Sequence, residues 1–217
     1  MNRLLQDYAA RIEKITKRVD RLETLEFSSA AFPSGGIACF ETVKLAAPAN
    51  SVALPSVGVL PATFWHLWLW YTASTGSGNL QPFLRFNGDS GANYRSYKNI
   101  WTRDDDDVDT MASVGGSGAF TDIDLMPVGQ AGDDERGGCE VNIYDYAAAD
   151  RNKAVTWKGW NIVDFVDGEL VVNLVQKGLG GGEWLSNSPI TSLTVQLPGV
   201  ATFRTGSVFT LIGVCTK

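Results

Sequence analysis

The sequence predicts a mainly β protein: an antiparallel, jelly-roll-like β-sandwich head over residues 37–217, preceded by an N-terminal α-helical coiled coil. Three observations predict it. From Ile37 onward no window holds a helical period, and about ten short apolar runs are punctuated by turn residues. The 23 glycines and 8 prolines are scattered between those runs, as strands and turns require. Upstream, apolar residues step alternately by three and four, which is the spacing of a coiled-coil seam. With 44% hydrophobic and 19% charged residues, the chain can bury a sizeable core and is not globally disordered.

The first element, residues 1–27, places Leu5, Tyr8, Ile12, Ile15, Val19 and Leu22 on one narrow seam, with Leu5, Ile12 and Val19 at the a positions. A helix packed on its own domain usually shows a wider apolar stripe. The seam therefore asks for an identical helix beside it, although a seam of about three heptads could also dock on the chain's own domain. Ile15 at d, with β-branched residues at a, favours three or more strands, and Arg18 at g can pair with Glu23 at the following e. Arg18-Val19-Asp20-Arg21-Leu22-Glu23 also resembles the short trimerisation motif of parallel three-stranded coiled coils. That resemblance implies a homotrimer with its N-termini together.

Residues 28–36, with serines, Pro33 and paired glycines, form a hinge. Strands follow near 38–45, 63–72, 82–87, 94–101, 120–126, 140–146, 154–166, 169–175, 192–197 and 208–215. Phe64 to Tyr71 is apolar on both alternating faces, so it is expected to be a central strand with Trp65, Trp68 and Trp70 in the core, or with one face against a neighbouring protomer. Asp167-Gly168 signals a two-residue type I′ hairpin. No internal repeat at fixed period emerges, which argues against a propeller or β-solenoid. The Cys, Trp, Cys spacing of an immunoglobulin sandwich is missing.

The formal charge of −6, without a basic stripe in the head, argues against nucleic acid as a partner. The most apolar stretch is too short for membrane insertion as a helix. The N-terminus carries no secretory leader pattern, so synthesis in a cytoplasm is expected. Cys39, Cys139 and Cys215 read as buried thiols, with a Cys39–Cys215 bridge as the alternative.

No catalytic residue is singled out, and no cofactor motif is present. His66, the single histidine, lies inside the Trp-rich strand and reads as a packed, hydrogen-bonded imidazole. Gly88-Asp89-Ser90-Gly91 reads as a turn with positive φ at both glycines rather than a nucleophile loop. Asp104, Asp105, Asp106, Asp107 and Asp109 could supply hard oxygen ligands to calcium, but they lack the EF-hand pattern and read better as a solvated loop. Asp133-Asp134-Glu135 reads the same way. Tyr94, Tyr97, Trp101, Trp157, Trp160 and Trp184 flank polar or glycine-rich segments. They suit either stacking on sugar rings or filling the core.

Two segments resemble those of small bacteriophage virion proteins: Phe83-Leu84-Arg85-Phe86-Asn87-Gly88-Asp89-Ser90-Gly91-Ala92-Asn93-Tyr94, and the C-terminal runs Ile190 to Leu197 and Phe203 to Gly213. The resemblance implies a virion location, a trimer, docking to other virion proteins through the N-terminal helix, and β-rich heads facing outward. The expected function is a homotrimeric fibre or spike contacting host-surface glycan. A capsid decoration or neck protein and a polysaccharide depolymerase are the alternatives.

Overall fold

The computed structural model describes residues 36–76, 78, 80–103, 109–129, 136–163 and 174–214, all within one compact unit, Ser34–Lys217. The coiled-coil positions Leu5 to Glu23, the Asp104 to Asp107 run, Asp133 to Glu135, the Asp167-Gly168 turn and Cys215 lie outside the described residues.

The described strands are β1 (Ile37–Lys44), β2 (Ser51–Leu54), β3 (His66–Ala73), β4 (Phe83–Phe86), β5 (Tyr94–Arg103), β6 (Asp109–Phe120), β7 (Ile123–Asp124), β8 (Gly137–Tyr144), β9 (Lys153–Val163), β10 (Leu174–Trp184), β11 (Leu193–Gln196) and β12 (Val208–Val214). Every pairing between them is antiparallel. An eight-stranded sheet runs β1-β12-β3-β8-β9-β10-β5-β6, and a four-stranded sheet runs β2-β11-β4-β7. With β5–β6 and β9–β10 set aside, the chain alternates between β1-β12-β3-β8 and β2-β11-β4-β7 except at β4 and β7, which follow one another as a pair within the smaller sheet, the connectivity of a jelly roll. The two additional strand pairs extend the larger sheet.

Period-two alternation builds the core. Leu67, Leu69 and Tyr71 of β3, Val141 and Ile143 of β8, and Phe209 and Leu211 of β12 face inward. They share one cluster with Val52, Leu84, Phe86, Ile123 and Val195 of the smaller sheet. The other face of β3 departs from expectation. On it Trp70 is exposed and Trp68 is half-buried, because no layer of the described chain covers that side of the larger sheet; Trp65, which precedes the strand, is exposed as well.

Strand β10 also corrects the sequence reading, which ended its strand at Val175. It continues through Gly178, Gly180, Gly181 and Gly182. Glycine is a poor strand former, but here its missing Cβ is what the packing needs. A Cβ on Gly180 would stand 2.5 Å from Trp157 Cζ2, and one on Gly178 would stand 2.7 Å from Met126 Sδ. Both large side chains lie against bare backbone. The β9–β10 pairing is present, but Val163 opposes Leu174. A two-residue Asp167-Gly168 turn would have set Val163 opposite Val172.

The Gly88 to Gly91 segment is a structural turn. Asn87 and Gly88 carry φ of 52° and 70°, and the Asp89 N–H donates to Phe86 O at 2.8 Å, so Asn87-Gly88 occupies the centre of a type I′ turn. Gly91 does not show the expected positive φ. Asp89 accepts from Trp184 Nε1 at 2.8 Å and from the Gly91 N–H at 2.9 Å, and its carbonyl accepts from the Tyr94 hydroxyl at 3.1 Å. Burial pushes the Asp89 carboxyl up, but hydrogen bonds from Trp184, Gly91 and Asn93 outweigh this and hold it below the usual range.

Candidate functional site

Because side chains alternate and the described residues cover the larger sheet on one side only, its outer face is set by register. One row across the strands reads Val208, Thr72, Gly138, Trp160, Lys177, Trp101, Met111. The neighbouring row reads Thr42, Thr210, Trp70, Glu140, Lys158, Leu179, Asn99, Ser113. Trp70 and Trp160 thus stand on strands flanking β8, one row apart. Between them lies a groove of about 620 Å³, with Gly138 and Thr72 on its floor and Glu140, Lys158, Lys177 and Thr210 at its edges.

The groove exists because Gly138 has no side chain. A Cβ there would stand 2.9 Å from Trp160 Nε1 and 3.0 Å from Cε2, so the indole folds down over the glycine directly opposite it. The same arrangement recurs at Gly181, where a Cβ would come within 2.7 Å of the Tyr97 hydroxyl oxygen. Trp70 is 50%, Trp160 43% and Tyr97 52% exposed. Glu140 and Lys158 form an ion pair at 3.0 Å across adjacent strands. Lys177 is exposed and has no ion-pair partner among the described residues. The arrangement offers aromatic surfaces edged by donors and acceptors, a chemistry suited to an amphipathic ring.

The candidate aromatic residues divide sharply. Tyr97 and Trp160 are exposed on the outer face, and Trp101 is half-buried there. Tyr94, Trp157 and Trp184 are core residues, at 0%, 3% and 3% exposure, so they cannot present ring faces to a ligand. Trp157 faces the smaller sheet over the glycines of β10, and Tyr94 and Trp184 stack at a centroid distance of 6.5 Å beneath the Asn87-Gly88 turn. Trp70 is the residue that sequence reasoning missed. Burial of Leu67, Leu69 and Tyr71 turns His66, Trp68 and Trp70 outward together, but with both alternating faces apolar the sequence does not tell which one is covered.

His66 packs on this face among Trp65, Trp68 and Tyr144, at centroid distances of 5.4, 6.0 and 5.7 Å. Its Nδ1 is buried without a hydrogen-bond partner among the described residues, which corrects the hydrogen-bonded imidazole expected there. Burial lowers its pKa, favouring the neutral ring. Cys39 and Cys139 are free thiols. Burial pushes the Cys139 thiol up to about 12, so it is not a nucleophile at neutral pH. Among the described residues no group of three or more His, Cys, Asp or Glu side chains could hold a metal ion, and no helix is long and apolar enough to cross a membrane.

No protein-family model and no curated protein matches the chain. Among solved structures, the CBM2 module of the evolved Dit of Lactobacillus casei BL23 phage J-1 aligns at 9% identity over 86% of this chain and 81% of that one, with a TM-score of 0.14. A likeness at that score carries no argument about fold or function.

Proposed function

We propose that the chain is a bacteriophage virion protein, a homotrimeric fibre or spike docked to other virion proteins through its N-terminal helices, whose β-sandwich heads bind host-surface glycan at the Trp70–Trp160 groove. The observation that carries the binding reading is the pair of exposed indoles flanking a glycine floor, with polar groups at hydroxyl height on either side. The virion setting rests on the resemblance of residues 83–94, 190–197 and 203–213 to phage structural proteins, and the trimer rests on the heptad seam. Three weak sites on one stalk gain avidity, so each head can bind weakly.

Binding without cleavage is the favoured chemistry. Among the described residues Glu140 is the carboxylate that lines the groove, and it is held by Lys158, whereas glycoside hydrolysis calls for two carboxyl groups flanking the bond. A decoration role on the capsid draws support from exposed Met111 and Leu179, which add apolar area that stacks no sugar.

In calorimetric titrations against host-surface polysaccharide, Trp70→Ala and Trp160→Ala are each expected to weaken binding about tenfold, the loss of one ring contact. Unchanged affinity in both variants would remove the groove from the reading. Capsid binding with no glycan binding would favour decoration. For the assembly, Ile12→Asp together with Val19→Asp is expected to take the light-scattering mass from trimer to monomer, because each a layer would bury three unpaired carboxylates. A variant that stays trimeric would show that the head holds the assembly together.

A further inference from the structure

Within the glycan-binding reading, we propose that the groove is one part of a longer track: an extended anionic polysaccharide lies across the strands on Trp70, Trp160 and Trp101 in turn, with an acidic group of its sugars against Lys177. The track follows from register. Trp70 is on β3, Trp160 on β9 and Trp101 on β5, so successive indoles are separated by two strand steps. Two such steps are about 10 Å, and about 12 Å from Trp70 to Trp160 with their two-residue offset along the strands, near the advance of two sugar units in an extended chain, so alternate rings meet an indole. Trp160 and Trp101 share a row and Trp70 is displaced to the next, so the track follows the row from Trp101 to Trp160 and bends along the strands toward Trp70.

A site for a single terminal sugar needs neither the third indole nor an open end. Trp101 stands outside the residues lining the Trp70–Trp160 groove, and Lys177 lies directly opposite both Trp160 and Trp101 in the same row. The charge assignment rests on the difference between the two lysines. Lys158 is neutralised by Glu140 at 3.0 Å, whereas Lys177, between the two indoles, has no carboxylate partner among the described residues. A carboxylate or a phosphate on the sugar would satisfy it equally.

The test titrates the full chain with di-, tetra- and hexasaccharides of a linear polyuronate, with the carboxyl-reduced neutral counterparts, and with a phosphodiester-bearing glycan. Affinity is expected to rise with length. Trp101→Ala should weaken the hexasaccharide about tenfold while leaving the disaccharide unchanged, and Trp101→Phe should restore most of the loss. Anionic chains should bind more tightly than the neutral ones, with a preference that fades in high salt and disappears in Lys177→Gln. Preference for either anion supports the inference and identifies the group. Equal affinity for short and long chains, or a silent Trp101→Ala, overturns the track. Equal affinity for neutral and anionic chains overturns the role of Lys177. Both results leave glycan binding itself intact, whereas no binding in any arm removes that reading as well.

Discussion

Trp184→Ala is expected to destabilise the head by about 3–5 kcal/mol, while Trp160→Ala, on the strand β9 that pairs with the Trp184 strand, leaves stability within about 0.5 kcal/mol. The indole of Trp184 is enclosed, with Phe86 at 5.7 Å and Tyr94 at 6.5 Å between centroids, and its Nε1 is the donor that fixes Asp89 at 2.8 Å. Truncation would open a cavity where the two sheets meet and release one restraint on the Asn87-Gly88 turn. Trp184→Phe separates the two contributions: it keeps most of the packing and loses the hydrogen bond, an expected cost of about 1–3 kcal/mol. Urea unfolding measures all three variants. Equal costs for Trp184→Ala and Trp160→Ala would contradict the division between core and surface rings.

Gly182→Val is expected to destabilise by about 3 kcal/mol or more, and the obstruction is backbone rather than side chain. A Cβ at position 182 would stand 2.3 Å from Arg95 O, the carbonyl of the adjoining strand, and 3.0 Å from Ile123 Cγ1. Neither can move without pulling β5 from β10 or lifting the smaller sheet. Gly138→Ala is the instructive contrast. The atom it would meet is Trp160 Nε1 at 2.9 Å, on a side chain that can swing outward. Thermal denaturation is expected to show a folded protein for Gly138→Ala, with the groove floor raised, and a large loss of midpoint for Gly182→Val. Similar midpoints would mean that the β5–β10 backbone spacing gives more readily than close packing allows.

These contrasts explain what could be read in advance. Strands β3 and β12 were legible because Leu67, Leu69 and Tyr71, and Phe209 and Leu211, keep period two. The β10 extension was hidden, because Gly178, Gly180 and Gly182 carry no hydrophobic signal of their own; their regular spacing makes sense only once Trp157, Met126 and Ile123 are seen lying against them. Strand β2 is four residues long and offers too little pattern. The site was half legible. Trp160 and Tyr97 stood out as aromatics beside polar and glycine neighbours, but Tyr94, Trp157 and Trp184 share that local setting and are buried by elements distant in sequence. Trp70 was concealed by its own strand, whose two faces are equally apolar. The order of strands within a sheet depends on long-range pairing, which no local pattern encodes.

The interleaving of the two sheets has a consequence for how the chain must be made. Strand β12, the last described, lies between β1 and β3, and β11 lies between β2 and β4. A ribosome releases β1 to β4 long before the strands that join them exist, so the nascent chain carries four unsatisfied strand flanks until its end emerges. Neither half of the jelly roll can close early, and the contacts that complete it span nearly the whole described chain, from Ile37 to Val214. Folding is therefore expected to be post-translational and slow, with the window for mispairing among neighbouring nascent copies open longest when expression is most abundant.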